Sequence, residues 1–411
     1  MPFRTALSGI NAASSQLQVI GNNVANANTN GFKLSRTEFS DVFAASNIGS
    51  ASDAIGAGVR VSNVTQQFTQ GNIDFTDNGL DVAINGQGFF QLSDSGAQVF
   101  SRDGAFSVDS QGFIVNSRGQ RLQGNQADAT GNILPAVGDL QVNSTGNIAP
   151  SPTSRIELGL NLDASATPPT VAFDATNPAS FNSTTSVTVF DSLGGSHLAT
   201  TYYRKTSDNT WETHLFVNGT QLTETAPATG VLTFNDNGTL ATPANGEVPF
   251  DAFAIGGGAA TLNLTLDYTG VGSPTTQFGA SFAVNSLDQN GFPPGALSGI
   301  DIGDDGIILA RFSNGESNAL GQIFLADFEN PQGLRQLGDN TWVESADSGP
   351  AQANVPGVGG VGLLQAGALE ASNVDITEEL VSIISAQRNF QANAEVITTA
   401  DTLTQTIINI R

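Results

Sequence analysis

The chain of 411 residues contains no cysteine, which excludes a disulfide framework, a thiolate metal site and a cysteine nucleophile. Histidine is nearly absent too. His197 and His214 each fall in or beside a strand candidate, and with no third imidazole or thiol they do not make a transition-metal set. The only lysines are Lys33 and Lys205, and the formal net charge is −24. Such a field repels nucleic acid and anionic lipid, so neither nucleic acid nor a membrane is an expected partner. No stretch approaches the length of a membrane span. The first residues show no basic region followed by an apolar core, so no ordinary secretory signal is visible, and if the protein leaves the cell it uses another export route.

The composition that is present points to β-structure. Charged residues are 13% and glycines number 46, with Asn, Ser and Thr filling much of the rest, which favours strands joined by tight turns. From Gly71 to Val142 short alternating runs such as FFQLS (Phe89–Ser93) and AFSV (Ala105–Val108) are separated by turn residues. Residues 146–285 form a different block, opened by Pro150 and Pro152. Its strand candidates include SVTVF (Ser186–Phe190), THLFV (Thr213–Val217) and TLNLTLDY (Thr261–Tyr268), with Asn218-Gly219 and Asn237-Gly238 as hairpin turns. IILARF (Ile307–Phe312) and QIFLADF (Gln322–Phe328) resume the first pattern.

The two ends read as helices. Phe3, Leu7, Ile10, Ser14, Leu17, Gly21 and Val24 alternate in steps of four and three, the seam of a heptad repeat. Ile376, Leu380, Ile383, Gln387, Phe390, Ala394 and Ile397 repeat it, with Ile384, Leu403, Ile407 and Ile408 widening the stripe. The first arm carries Arg4, Lys33 and Arg36 with no acid, while residues 370–411 carry six acids against Arg388 and Arg411. That asymmetry favours pairing between the arms. Asn30 and Gly31 form the turn that stops the first helix.

The expected fold is therefore multi-domain and mainly β, with nested antiparallel β domains and N- and C-terminal α-helices forming a coiled-coil-like terminal domain. Residues 1–33 and 371–411 make that helical assembly domain. Residues 34–70 and 350–370 are connectors, 71–145 and 286–349 a discontinuous β domain, and 146–285 an inserted all-β domain. Nesting brings the two terminal helices together.

Several patterns that suggest chemistry fail on inspection. GVGGVG (Gly357–Gly362) matches the glycine spacing of a dinucleotide loop but follows Pro350 and Pro356 rather than a strand. Asp301, Asp305 and Gly306 resemble the start of a calcium loop, yet Gly303 and Phe312 stand where oxygen ligands are needed. No acid pair sits in a glycosidase context. Trp211, Trp342, Tyr202, Tyr203 and Tyr268 read as core aromatics before they read as a sugar-stacking surface. No catalytic, cofactor-binding or metal-binding residue is assigned.

LSGINAASSQLQVIGNNVANANTNGFK (Leu7–Lys33) resembles the N-terminal signature of bacterial flagellar rod and hook subunits. SNVDITEELVSIISAQRNFQANAEVITTADTLTQTIINIR (Ser372–Arg411) resembles the matching C-terminal one. GLDVAINGQGFFQL (Gly79–Leu92), RDGAFSVDSQGFIVN (Arg102–Asn116) and NPQGLRQLGDNTWVES (Asn330–Ser345) are also similar to that axial protein family. The resemblance implies a structural subunit, not an enzyme, that polymerises into a flexible helical tube transmitting torque from rod to filament and enclosing an export channel. The inserted block favours the hook-type subunit over the shorter distal-rod type. A secreted carbohydrate-binding or hydrolytic β protein is the reading from a different class.

The resemblance further implies an extracellular place in the flagellum and no cofactor. Expected partners are other copies of the chain, the distal rod, hook cap and hook–filament junction proteins, and the flagellar type III export apparatus. The assembly interface is expected at Phe3, Leu7, Ile10, Leu17 and Val24, at Asn22, Asn23, Asn26, Gly31 and Phe32, and at Ile376, Leu380, Ile383, Ile384, Gln387, Phe390, Ala394 and Ile397.

Overall fold

The computed structural model describes residues 2–42, 56–128, 131–142, 147–270 and 272–409. The chain divides into two compact units, one of Met1–Thr145, Gly299–Arg311 and Ser317–Arg411, the other of Gly146–Ser298 and Phe312–Glu316.

In the first unit, α1 (Pro2–Ala25) and α2 (Ile376–Asn409) are the only α-helices among the described residues. Asp375 starts α2 by accepting the Thr377 and Glu378 N–H groups on its side chain at 2.7 and 3.2 Å, satisfying donors that the first turn leaves bare. Gly31, at φ +67°, turns the chain after α1. The segment expected as a connector after α1 is largely a hairpin. β1 (Ser35–Val42) pairs antiparallel with β2 (Gly58–Gln66) from Ser35↔Gln66 to Val42↔Gly58, bulged at Glu38/Phe39. The alternation in GVRVSNVTQ is a strand signal that the polar residues between the valines conceal. Residues 43–55 of that connector lie outside the described residues. The second connector is likewise structured: Gln352–Asn354, Leu363–Ala366 and Ala368–Glu370 are strands, the last two pairing with Val82–Asn85 and Ile73–Phe75.

The body of this unit is an antiparallel sheet in which the strands Ser317–Ile323, Arg121–Ala127, Phe89–Asp94, Ala97–Ser101, Thr341–Val343 and Arg335–Gly338 lie side by side. Alternate residues point inward and build an edge-to-face aromatic core of Phe89, Phe100, Phe328 and Trp342, with Phe68 against it.

The second unit has two sheets. One runs Ser183–Phe190, Ser196–Ser207, Thr210–Val217, Val231–Phe234, Leu240–Thr242, all antiparallel. The other orders Glu247–Pro249, Thr265–Asp267, Arg155–Asn161 and Ala283–Gln289, and here Arg155–Asn161 runs parallel to Thr265–Asp267, which departs from the purely antiparallel expectation. The strand Ala283–Gln289 pairs with Arg155–Asn161 and so carries this unit past residue 285. Leu158, Leu160, Tyr203, Trp211, Leu215 and Leu266 are fully buried between the strands, and Trp211 Nε1 donates to Gln277 Oε1 at 3.1 Å. His197 is committed locally, with Nε2 2.7 Å from Asp191 Oδ2 and Nδ1 2.8 Å from the Asn218 amide.

Candidate assembly interface

The two terminal helices pack against each other antiparallel. Gly9 of α1 lies beside Asn393 of α2 so closely that a Cβ there would overlap the Asn393 amide. Near the other end of α1, Asn23 Nδ2 reaches Glu379 Oε2 at 3.5 Å. Both contacts belong to one register, which brings the start of α1 level with Ala400.

Alanines recur along this seam. On α1, Ala6, Ala13 and Ile20 are buried at heptad intervals; on α2, Glu379, Ala386 and Ala400 are buried, with Asn393 completing the same sevenfold spacing. Small residues let two helix axes approach closely, leaving the bulkier rows on either side uncovered. Phe3, Leu7, Ile376, Leu380, Ile384, Gln387 and Phe390 are exposed, and Ile10, Leu17, Val24, Ile383, Ala394 and Ile397 are half-buried. Leu7 is 53% exposed, Leu380 49% and Ile407 69%, values that an apolar side chain serving the core of its own chain would not show. The large apolar pattern thus marks an outer face, whereas the alanines one residue away make the joint between the two helices. The recurrence of Ala6, Ala13 and Ile20 at sevens is the signal that identifies the inner seam.

The residues from the Asn-rich turn behave differently. Gly31 and Phe32 are buried, as is Asn23, so these three face the inside of their own chain. Asn23 exchanges hydrogen bonds with the Ser35 backbone, donating to its carbonyl at 2.8 Å and accepting its N–H at 3.0 Å. Asn26 donates to the Asn22 carbonyl at 2.9 Å, closing the helix end; Asn22 itself is exposed. A Cβ at Gly31 would meet the Asp103 nitrogen at 2.5 Å, so the turn closes onto the β body only without a side chain.

Beneath this turn lies a buried charge cluster. Lys33 Nζ donates to Glu370 Oε1 at 2.7 Å and to the Thr69 carbonyl at 2.8 Å, and Gly71 N–H donates to the same carboxylate oxygen at 2.9 Å. Arg102 Nη1 stands 3.3 Å from Glu370 Oε2, while Nη2 donates to the Gly86 carbonyl at 2.7 Å. Burial pulls the Lys33 and Arg102 pKa values down, and the Glu370 charge opposes it in both. Asn373 adds neutral ties, accepting Leu34 N–H at 2.7 Å and donating to the Gln67 carbonyl at 2.8 Å. The entry of one arm, the exit of the other and the β body are therefore fixed at one point.

Comparison with known proteins agrees with this architecture. Four family models match in succession: flagella basal body rod protein over residues 3–33, flagellar hook protein FlgE/F/G D1 domain over 83–174, flagellar basal body protein FlaE D2 domain over 161–292, and flagellar basal body rod FlgEFG protein C-terminal over 365–410. Flagellar hook protein FlgE of Escherichia coli (strain K12) is 40% identical over 415 residues, covering 100% of both chains. The hook proteins of Rhizobium meliloti (strain 1021) and Treponema pallidum (strain Nichols) are 34% and 33% identical, covering 100% and 99% of this chain and 98% of each relative. In fold, the chain is similar to the crystal structure of Helicobacter pylori flagellar hook protein FlgE2, with a TM-score of 0.55 at 13% identity over 72% of this chain and 100% of that one.

Proposed function

The chain belongs to the bacterial flagellar hook protein family, and we propose that its copies join through the outer faces of α1 and α2 into an open helical tube, the hook. The observation that carries this reading is the split between the two faces of the helix pair: alanines, Ile20 and polar residues satisfy the pair itself, and Phe3, Leu7, Leu380, Ile384 and Phe390 are left for other copies. Burying such rows by interdigitation is the main source of stability in helical assemblies. A contact that is not self-complementary, with a rotation that does not close, builds an open helix.

A flexible joint must transmit torque while the spacing between neighbouring copies changes once per turn. Apolar helix contacts supply the part that holds. The Thr-, Ser- and Asn-rich strand surfaces supply contacts that water replaces at little cost, so they can slide. The buried Lys33–Glu370–Arg102 cluster keeps the helix pair at a fixed attachment to the β body, so that force on one reaches the other. In this reading the helices line an export channel, the subunit leaves the cell by the flagellar export route, and it meets rod, cap and hook–filament junction proteins at the ends of the tube. Electron microscopy of the purified chain under polymerising conditions tests the reading: hollow tubes are expected, and a chain that remains monomeric at all concentrations and salt conditions overturns it.

A further inference from the structure

We infer that neighbouring copies join head to tail, with the free end of α2 seated on the start of α2 in the next copy; this rests on the assembly reading above. Because the described part of α1 starts level with Ala400, residues 401–409 have no partner helix among the described residues, over about 13 Å at 1.5 Å per residue. Leu403 and Ile407 on this overhang are 61% and 69% exposed. At the opposite end of the helix pair Leu380 and Ile384 are each 49% exposed. The two patches are different surfaces of one chain, each a pair spaced by four residues, so their ridges match in direction.

A shift of 23 residues along the common axis sets Leu403 beside Leu380 and Ile407 beside Ile384 of the next copy. The same shift places Phe3, level with Thr399, beside Ile376, and brings Arg4 level with Asp375 and within one turn of Glu378. Arg4 and Glu378 are exposed and neither makes an ion pair among the described residues. One displacement therefore satisfies both apolar pairs and both lone charges. Pairing of like ends would set Arg4 against Arg4 and close the contact in a dimer.

The native absence of cysteine makes this testable by disulfide trapping. Within one chain Leu403 and Leu380 are about 35 Å apart along the helix, far beyond the Cα separation of about 4.4–6.8 Å that a disulfide spans. A bond between them must join two copies. Tubes of the Leu380→Cys/Leu403→Cys chain, oxidised with copper phenanthroline, should give a ladder of covalent multimers on a non-reducing gel, and so should Ile384→Cys/Ile407→Cys. Each single-cysteine chain should stay monomeric on the gel. Dimers from the single variants, or intact tubes of both double variants without a ladder, overturn the pairing while leaving tube formation itself intact.

Should the cysteine chains not assemble, charge reversal decides the question. Arg4→Glu should raise the critical concentration for assembly at least several-fold, and Glu378→Arg in the same chain should restore it. Failure to restore overturns the proposal. A wild-type chain that forms no tubes would instead defeat the broader assembly reading.

Discussion

Lys33 and Glu370, separated by 337 residues in sequence, meet at 2.7 Å with both side chains wholly buried. Replacing Glu370 with Gln leaves Lys33 and Arg102 as uncompensated charges in the interior. Removing one partner of a buried pair costs about 3–5 kcal/mol, so thermal melts of the Glu370→Gln monomer should show a marked loss of stability in the first unit. In a double-mutant cycle, Lys33→Met with Glu370→Gln should cost less than the two single changes together.

Two glycines of the first arm should respond in opposite directions. Gly31→Ala forces a side chain into φ +67° and against the Asp103 nitrogen, and should destabilise by more than about 1 kcal/mol. Gly21 lies in α1 with nothing within 4 Å of a Cβ, so Gly21→Ala should stabilise the helix by roughly 0.5–1 kcal/mol. Chemical denaturation of both variants beside the parent checks the pair.

Much of this site was legible before the structure. The helices, the turn at Asn30-Gly31 and the attraction between a basic first arm and an acidic second arm follow from periodicity, turn chemistry and charge; Lys33 and Glu370 realise that attraction directly. Heptad spacing alone does not say which of two adjacent rows faces the partner helix. Leu7 and Leu380 outrank Ala6 and Glu379 in hydrophobicity, yet Gly9 and Ala386 set the close approach and turn the larger residues outward. Arg102 gave no local signal, because its role depends on a contact spanning the chain. The β1–β2 hairpin was hidden for a related reason: it is amphipathic toward a helix rather than a sheet core, and Val59 N–H donates to Ser8 Oγ of α1 at 3.2 Å.

Burial raises the Glu379 pKa above its ordinary value, with the Asn23 amide opposing the shift. A carboxyl with a raised folded pKa favours folding below its unfolded value and loses that contribution as pH climbs through the folded value. Between those two values, Glu379→Gln should change from neutral to stabilising as pH rises. Parallel melts of parent and variant followed by helical circular dichroism should show a difference that grows toward neutral pH and vanishes in acid.

The second unit carries its own core around Leu158, Tyr203, Trp211 and Leu266. Residues 147–298 expressed alone should therefore fold and melt cooperatively. The fragment lacks Ser313, which accepts Ala296 N–H on its side chain at 3.0 Å and donates its own N–H to the Ala296 carbonyl at 2.8 Å, so some fraying at the last strand is expected. Absence of a cooperative transition would show that this unit needs the rest of the chain.

In the proposed tube the exposed apolar rows of the helix pair hold copies together and do little for the single chain. Leu380 is the sharpest place to ask, because Ile383 is half-buried at the edge of the inner seam and a charge there would disturb both contacts. Leu380→Asp puts an unpaired carboxylate into the proposed contact between copies at a cost of several kcal/mol, repeated in every subunit. Electron microscopy of this variant under conditions where the parent polymerises, with the monomer's melting curve recorded alongside, is the direct measurement. An unchanged melt and no tubes are expected; tubes indistinguishable from those of the parent would show that this row does not hold the copies together.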